Sequence, residues 1–166
     1  MKKTILLLSF LLISTVTFAQ KKFDDKALSY KMELLDAQSK SFKEILKKYK
    51  GKNVLIDVWA SWCPDCIKGL PKVKELQEQY PNLVFLFIDM DKNTEKWKSA
   101  IDKYEIKGEH IYASGGMKSD FGKAITLDWI PRYILLNKKG EIVIFRAITA
   151  DDSKLLTTIK NLNLRL

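Results

Sequence analysis

Residues 54–66 read VLIDVWASWCPDC, and the interpretation of this stretch decides the fold. Residues 53–60 form a nearly continuous apolar run of strand-forming residues. A run of that kind suits a central strand covered on both faces better than a half-exposed strand, which alternates. Cys63 and Cys66 follow at once, and they are the only two cysteines in 166 residues. Pro64 between them fits the first position of a helix, where its missing N–H costs nothing. The stretch therefore predicts strand, turn and helix, with two thiols where the helix begins. Asp57 stands out in it, because an acid in a strand core is costly and that cost favours a function.

Working outward, the helix after the cysteines is expected to reach about residue 80. Leu70, Val73, Leu76 and Gln77 mark its period, and Pro71 is expected to kink it. Residues 83–89 predict a second buried strand. Residues 94–104 predict a helix capped by Asn93 or Thr94. A short strand at 109–113, a break at Gly115-Gly116 and a short helix at 119–125 follow. Residues 132–136 and 141–147 predict two strands joined by a tight turn over 137–140. Asp151 or Asp152 opens a last helix to about residue 161. Upstream, Phe42, Ile45, Leu46 and Tyr49 predict a helix over 39–49 that Gly51 stops. Residues 20–38 are a polar lead-in that pattern does not place.

Two strands linked by a helix should lie parallel, and two linked by a tight turn antiparallel. The expectation is an α/β domain over residues 39–166, with a mixed central β-sheet flanked by α-helices. The cysteines would lie at the carboxyl end of the first long strand, where open α/β sheets place their sites.

The N-terminus reads as a signal for export. Lys2 and Lys3 precede an apolar run at 5–16, too short to span about 30 Å of hydrocarbon comfortably. Small residues at Thr17 and Ala19 fit a cleavage site after Ala19, so residues 1–19 are expected to be a signal peptide. The mature chain would then be periplasmic, in a compartment where disulfides persist. The net charge is +9, mostly scattered lysines such as Lys43, Lys47 and Lys48. Without a recognisable binding motif this implies a solvated basic surface and no nucleic-acid partner. The sequence does not fix an oligomeric state.

Three uses of the cysteine pair can be weighed. A staple gains little from closing so small a loop. Zinc needs four ligands, and two cysteines with His110, the single histidine and one in a predicted strand, are a poor set. A redox pair fits better. The N–H groups and partial charge of a helix N-terminus lower a thiol pKa. Cys63 at the cap would be the exposed nucleophile, and Cys66 one turn on the buried resolving thiol. A copper(I) carrier using the same two thiols stays open as the alternative.

VLIDVWASWCPDC, together with WIPRYILLNKKGEIV at 129–143, resembles the thioredoxin-like superfamily, and within it the extracytoplasmic TlpA/ResA-type thiol–disulfide oxidoreductases. The resemblance rests on Trp59, Ala60, Trp62, Cys63, Cys66 and Pro131. It implies a thioredoxin-like fold and an enzyme without a cofactor or metal. Its partners would be protein thiols and disulfides and a membrane or periplasmic redox protein. Pro131 would follow a cis Ile130–Pro131 bond and lie against the cysteines. Asp57 would take the proton of Cys66. Trp62, Pro64, Asp65 and Ile130 would meet the client, Ile130 through its backbone. The expected activity is disulfide reduction, a direction taken from the charge of Asp65 and not from the resemblance, with one role in keeping apocytochrome c thiols free; a disulfide oxidant or isomerase is the alternative. Two positions depart from the pattern. The intervening pair is Pro-Asp, and Asp65 should make the couple more reducing by opposing a thiolate. Gly69 stands where some members have an acid.

Overall fold

The computed structural model describes residues 21–164. The expected signal at residues 1–19 lies outside them. Among the described residues no helix is long and apolar enough to cross a membrane.

The elements run α1 (Asp25–Ser29), β1 (Lys31–Leu34), β2 (Ser39–Ser41), α2 (Phe42–Lys47), β3 (Val54–Trp59), α3 (Pro64–Gln79), β4 (Val84–Asp89), α4 (Thr94–Tyr104), β5 (Glu109–Tyr112), α5 (Asp120–Ala124), β6 (Arg132–Leu136), β7 (Ile142–Ala147) and α6 (Ser153–Leu164). A 3-10 turn at Gly116–Lys118 leads into α5. The strands form one mixed sheet in the order β2-β1-β5-β4-β3-β6-β7. β3 lies parallel to β4 and antiparallel to β6, and β6 and β7 form the hairpin. Every residue of β3 is buried, which is why its sequence does not alternate.

The lead-in is built into this sheet. β1 pairs antiparallel with both β2 and β5, so residues 31–41 extend the sheet at one edge. Aromatic packing anchors them: the rings of Phe23 and Phe42 meet edge-on at 5.1 Å, and those of Phe42 and Phe121 at 5.2 Å. The helix expected over 39–49 shortens accordingly. Residues 39–41 are strand, and Ser41 caps α2 through a reciprocal box with Glu44. Pro71 stands inside α3 without ending it.

β3 positions the chemistry. It enters a sharp turn at Ala60–Cys63, where the Cys63 N–H donates to the Ala60 carbonyl at 3.1 Å, and α3 starts at Pro64. The loop before β6 comes up opposite that turn.

Candidate active site

Cys63 is the N-cap of α3 and Cys66 lies in its first turn. The two are joined as a disulfide, with Cα atoms 5.3 Å apart. The Cys66 N–H, one that no helical carbonyl can satisfy, points at Cys63 Sγ from 3.2 Å. In the reduced protein the same N–H would stabilise a Cys63 thiolate.

Cys63 is not the exposed residue expected from its place at the cap. It is only 4% exposed, against 3% for Cys66. The physical reason is the loop before β6. The Ile130–Pro131 peptide is cis, Pro131 is buried, and the Ile130 carbonyl oxygen lies 3.5 Å from Cys63 Sγ. Thus Ile130 meets the pair, and in the disulfide form its carbonyl faces the sulfur. Trp62, Pro64 and Asp65 are exposed around it, and Trp59 is buried. Asp65 lies 3.9 Å from Lys68 across the first turn of α3.

Asp57 is buried on β3 directly opposite Tyr133 of β6. Residues directly opposite on antiparallel strands project from the same face. A Cβ added at Gly69 would come within 3.0 Å of the Tyr133 hydroxyl, so that face is the one α3 covers. Asp57 therefore points beneath the helix that carries Cys66. Burial pushes its carboxyl up to about 8, against a smaller lowering by the Tyr133 hydroxyl. An acid with that pKa exchanges protons near neutral pH, which suits a proton acceptor for a thiol.

Three features escape the sequence reading. Asp89 ends β4 and is fully buried, its carboxyl also pushed up to about 8 by burial. Its Oδ1 accepts the Asp91 N–H at 2.8 Å. Asp91 in turn accepts from both the N–H and the hydroxyl of Ser61, each at 2.8 Å, which fixes the turn leading to Cys63. Second, Arg132 is buried beside Pro131 and pairs with Asp128, which Arg146 of β7 also holds at 2.8 Å. Burial lowers the Arg132 pKa, an effect that Asp128 opposes. This clamp ties both ends of the Pro131 loop. Third, Trp129 and Ile148 are large apolar side chains left 52% and 46% exposed, and they rim a groove beside the disulfide floored by Gly69, Pro131 and Tyr133. Asp89 carried a readable signal, an acid at the end of an apolar strand run, the same signal as Asp57. The other two depend on tertiary placement. Among the described residues no group of three or more His, Cys, Asp or Glu is placed to hold a metal.

A family model described as thioredoxin-like matches residues 51–142. The thiol-disulfide oxidoreductase ResA of Bacillus thuringiensis subsp. konkukian is 27% identical over 100 residues, covering 59% of this chain and 56% of that protein. The thioredoxin-like protein YneN of Bacillus subtilis is 27% identical over 104 residues, 60% of this chain and 59% of its own length. The chain thus spans little more than half the length of these relatives. A solution structure from Bacteroides vulgatus, described as a candidate thiol-disulfide oxidoreductase, is 31% identical, covers 83% of this chain and 86% of that one, and superposes with a TM-score of 0.65. The thioredoxin domain of another Bacteroides vulgatus thiol-disulfide oxidoreductase covers 89% of this chain and 99% of its own; with a TM-score of 0.71 at 22% identity it shares the fold.

Proposed function

From the premise that this chain belongs to the thioredoxin-like family, we propose that it is an extracytoplasmic thiol–disulfide oxidoreductase that reduces disulfides in proteins. The observation that carries the reading is the Cys63–Cys66 disulfide at the start of α3, closed by the Ile130–Pro131 loop and set above a buried acid on the face α3 covers.

The reaction runs in two exchanges. The Cys63 thiolate, stabilised by the Cys66 N–H and the helix N-terminus, attacks one sulfur of a client disulfide. A mixed disulfide forms and the other client sulfur leaves as a thiolate. Asp57 then takes the proton of the Cys66 thiol. The Cys66 thiolate attacks Cys63 Sγ, expelling the second client sulfur and forming the Cys63–Cys66 bond. The client gains two electrons and the pair loses two. Trp62, Pro64, Asp65 and the groove beside Pro131 would receive the client chain, with the Ile130 backbone freed to pair with it once the disulfide opens. A membrane or periplasmic redox protein would restore the dithiol. One role for such a reductant is to keep the haem-attachment thiols of apocytochromes c reduced. Asp65 supports the reducing direction, since its charge opposes the Cys63 thiolate.

The decisive experiment pairs trapping with the potential. Cys66→Ser should accumulate mixed disulfides with clients and Cys63→Ser should form none. The wild-type couple should sit near the reducing end of the range, about −270 mV rather than about −120 mV. A value at the oxidising end overturns the direction. Tight copper(I) binding with no disulfide exchange overturns the activity and leaves a copper(I) carrier.

A further inference from the structure

Asp57 is buried with one oxygen unused. Its Oδ1 and the Tyr133 hydroxyl are both buried and have no hydrogen-bond partner among the described residues. The two side chains face each other across the β3–β6 pairing, close enough that the hydroxyl bears on the acid's proton affinity without forming a hydrogen bond of good geometry. A protonated carboxyl does without such a donor; a buried carboxylate does not. Space for the hydroxyl comes from Gly69, one turn past Cys66, where any side chain would start 3.0 Å from it. A phenol held apposed to a buried acid by a glycine has no packing purpose, because phenylalanine would fill the same space without an unpartnered oxygen.

We propose that Tyr133 is the positioning residue for Asp57: its hydroxyl donates to the Asp57 carboxylate and so holds that oxygen in the charged form that accepts the Cys66 proton. This rests on the reading of Asp57 given above. The hydroxyl's own proton stays on Tyr133, whose pKa is raised by burial and by the Asp57 charge. Asp151 faces the same hydroxyl, and Asp65, Lys68 and Lys72 line the groove outside it.

Tyr133→Phe tests the assignment. Two measurements read it. The first is the titration of the Asp57 carboxyl carbon by NMR in the oxidised protein, where the cysteines do not titrate. Loss of a hydrogen bond to the charged form should raise the midpoint by roughly one pH unit. The second is the pH profile of client disulfide reduction. It should shift upward with the midpoint, so that the variant is about tenfold slower at pH 7 and recovers at higher pH. In an Asp57→Asn background, Tyr133→Phe should change the rate by less than about twofold. An unmoved midpoint, a loss uniform across pH, or effects that multiply in the double variant would overturn the proposal. A lowered melting temperature with an unmoved midpoint would assign Tyr133 a structural role only. Because the NMR titration needs no turnover, a protein that exchanges no disulfides yet shows the midpoint shift keeps the Tyr133 contact and loses the enzymatic reading.

Discussion

Asp57 and Asp89 sit on adjacent parallel strands, and by the β3–β4 register their side chains project from the same face of the sheet. Both are buried, and burial raises both carboxyls to about 8. Their surroundings differ. Asp89 accepts an N–H from Asp91, which in turn grips Ser61. Asp57 has a free oxygen facing a free hydroxyl, beneath the helix that carries Cys66. A raised pKa therefore marks only the cost of burial. The role follows from what lies within reach of the proton.

The largest expected effect treats the two acids alike. Each has a folded pKa near 8 and an ordinary value of 3.8. The folded state thus binds a proton more tightly than the unfolded chain does. The stability each acid lends is fully present below about pH 4 and is lost as pH rises toward 8. The slope is roughly 1 kcal/mol per pH unit for each acid, or several kcal/mol across the window. Asp57→Asn and Asp89→Asn should each flatten that fall, seen as a higher denaturant midpoint at pH 8 than wild type. If Asp57→Asn flattens it and Asp89→Asn does not, the two sites do not share a cause.

Rates should then separate them. Asp57→Asn removes the proton acceptor for Cys66 and should slow client disulfide reduction about 100-fold at pH 7, with the mixed disulfide persisting. The step in the pH profile near 8 should vanish. Asp89→Asn should stay within about threefold, because an amide oxygen still accepts the Asp91 N–H. Stopped-flow measurement of the second exchange reads both. Equal losses would break the comparison.

The same contrast separates what the sequence showed from what it hid. The strand, turn and helix over residues 54–79 were legible because three local signals agreed: an apolar run broken only by Asp57, a proline at the helix start, and cysteines one turn apart. The hairpin at residues 132–147 was legible from its turn. The resemblance also placed a cis bond before Pro131, where the structure has one. Residues 31–41 were not legible. β1 and β2 have four and three residues, too short to show a period, and they hold their place through Phe23, Phe42 and Phe121, which are distant in sequence. The burial of Cys63 was hidden for a related reason, since a loop 67 residues away covers it. The partner of Asp57 was hidden too: register, not spacing, sets Tyr133 opposite it.

Next in size is the clamp that distinguishes Asp89. Asp91→Ala would strand the Ser61 N–H and hydroxyl while leaving the backbone N–H that Asp89 accepts. Losing two hydrogen bonds to a buried carboxylate should cost about 2 kcal/mol of stability. Denaturant unfolding at pH 7 measures it. The exchange rate should fall by less than about tenfold, since Ser61 orders the turn before Cys63 but touches no reacting atom. A rate loss as large as that of Asp57→Asn would move Asp91 from scaffold to chemistry.

The smallest effect belongs to a third acid, and it sharpens the comparison from the solvent side. Asp65 is nearer in sequence to both sulfurs than Asp57 or Asp89, yet it is exposed and lies 3.9 Å from Lys68. Water and salt screen such charges, so its interaction with a Cys63 thiolate should be worth under about 1 kcal/mol. Since about 30 mV corresponds to about 1.4 kcal/mol for a two-electron couple, Asp65→Asn should shift the potential by no more than about 20 mV. The sign is fixed. Removing the negative charge stabilises the thiolate, hence the reduced form, and makes the couple more oxidising. Lys68→Ala should move it the opposite way. Both shifts should shrink at 1 M salt, where the screening length is about 3 Å. Equilibration against glutathione at two ionic strengths reads all of this. A salt-independent shift of several tens of millivolts would mean that Asp65 acts by ordering the helix start and not through its charge.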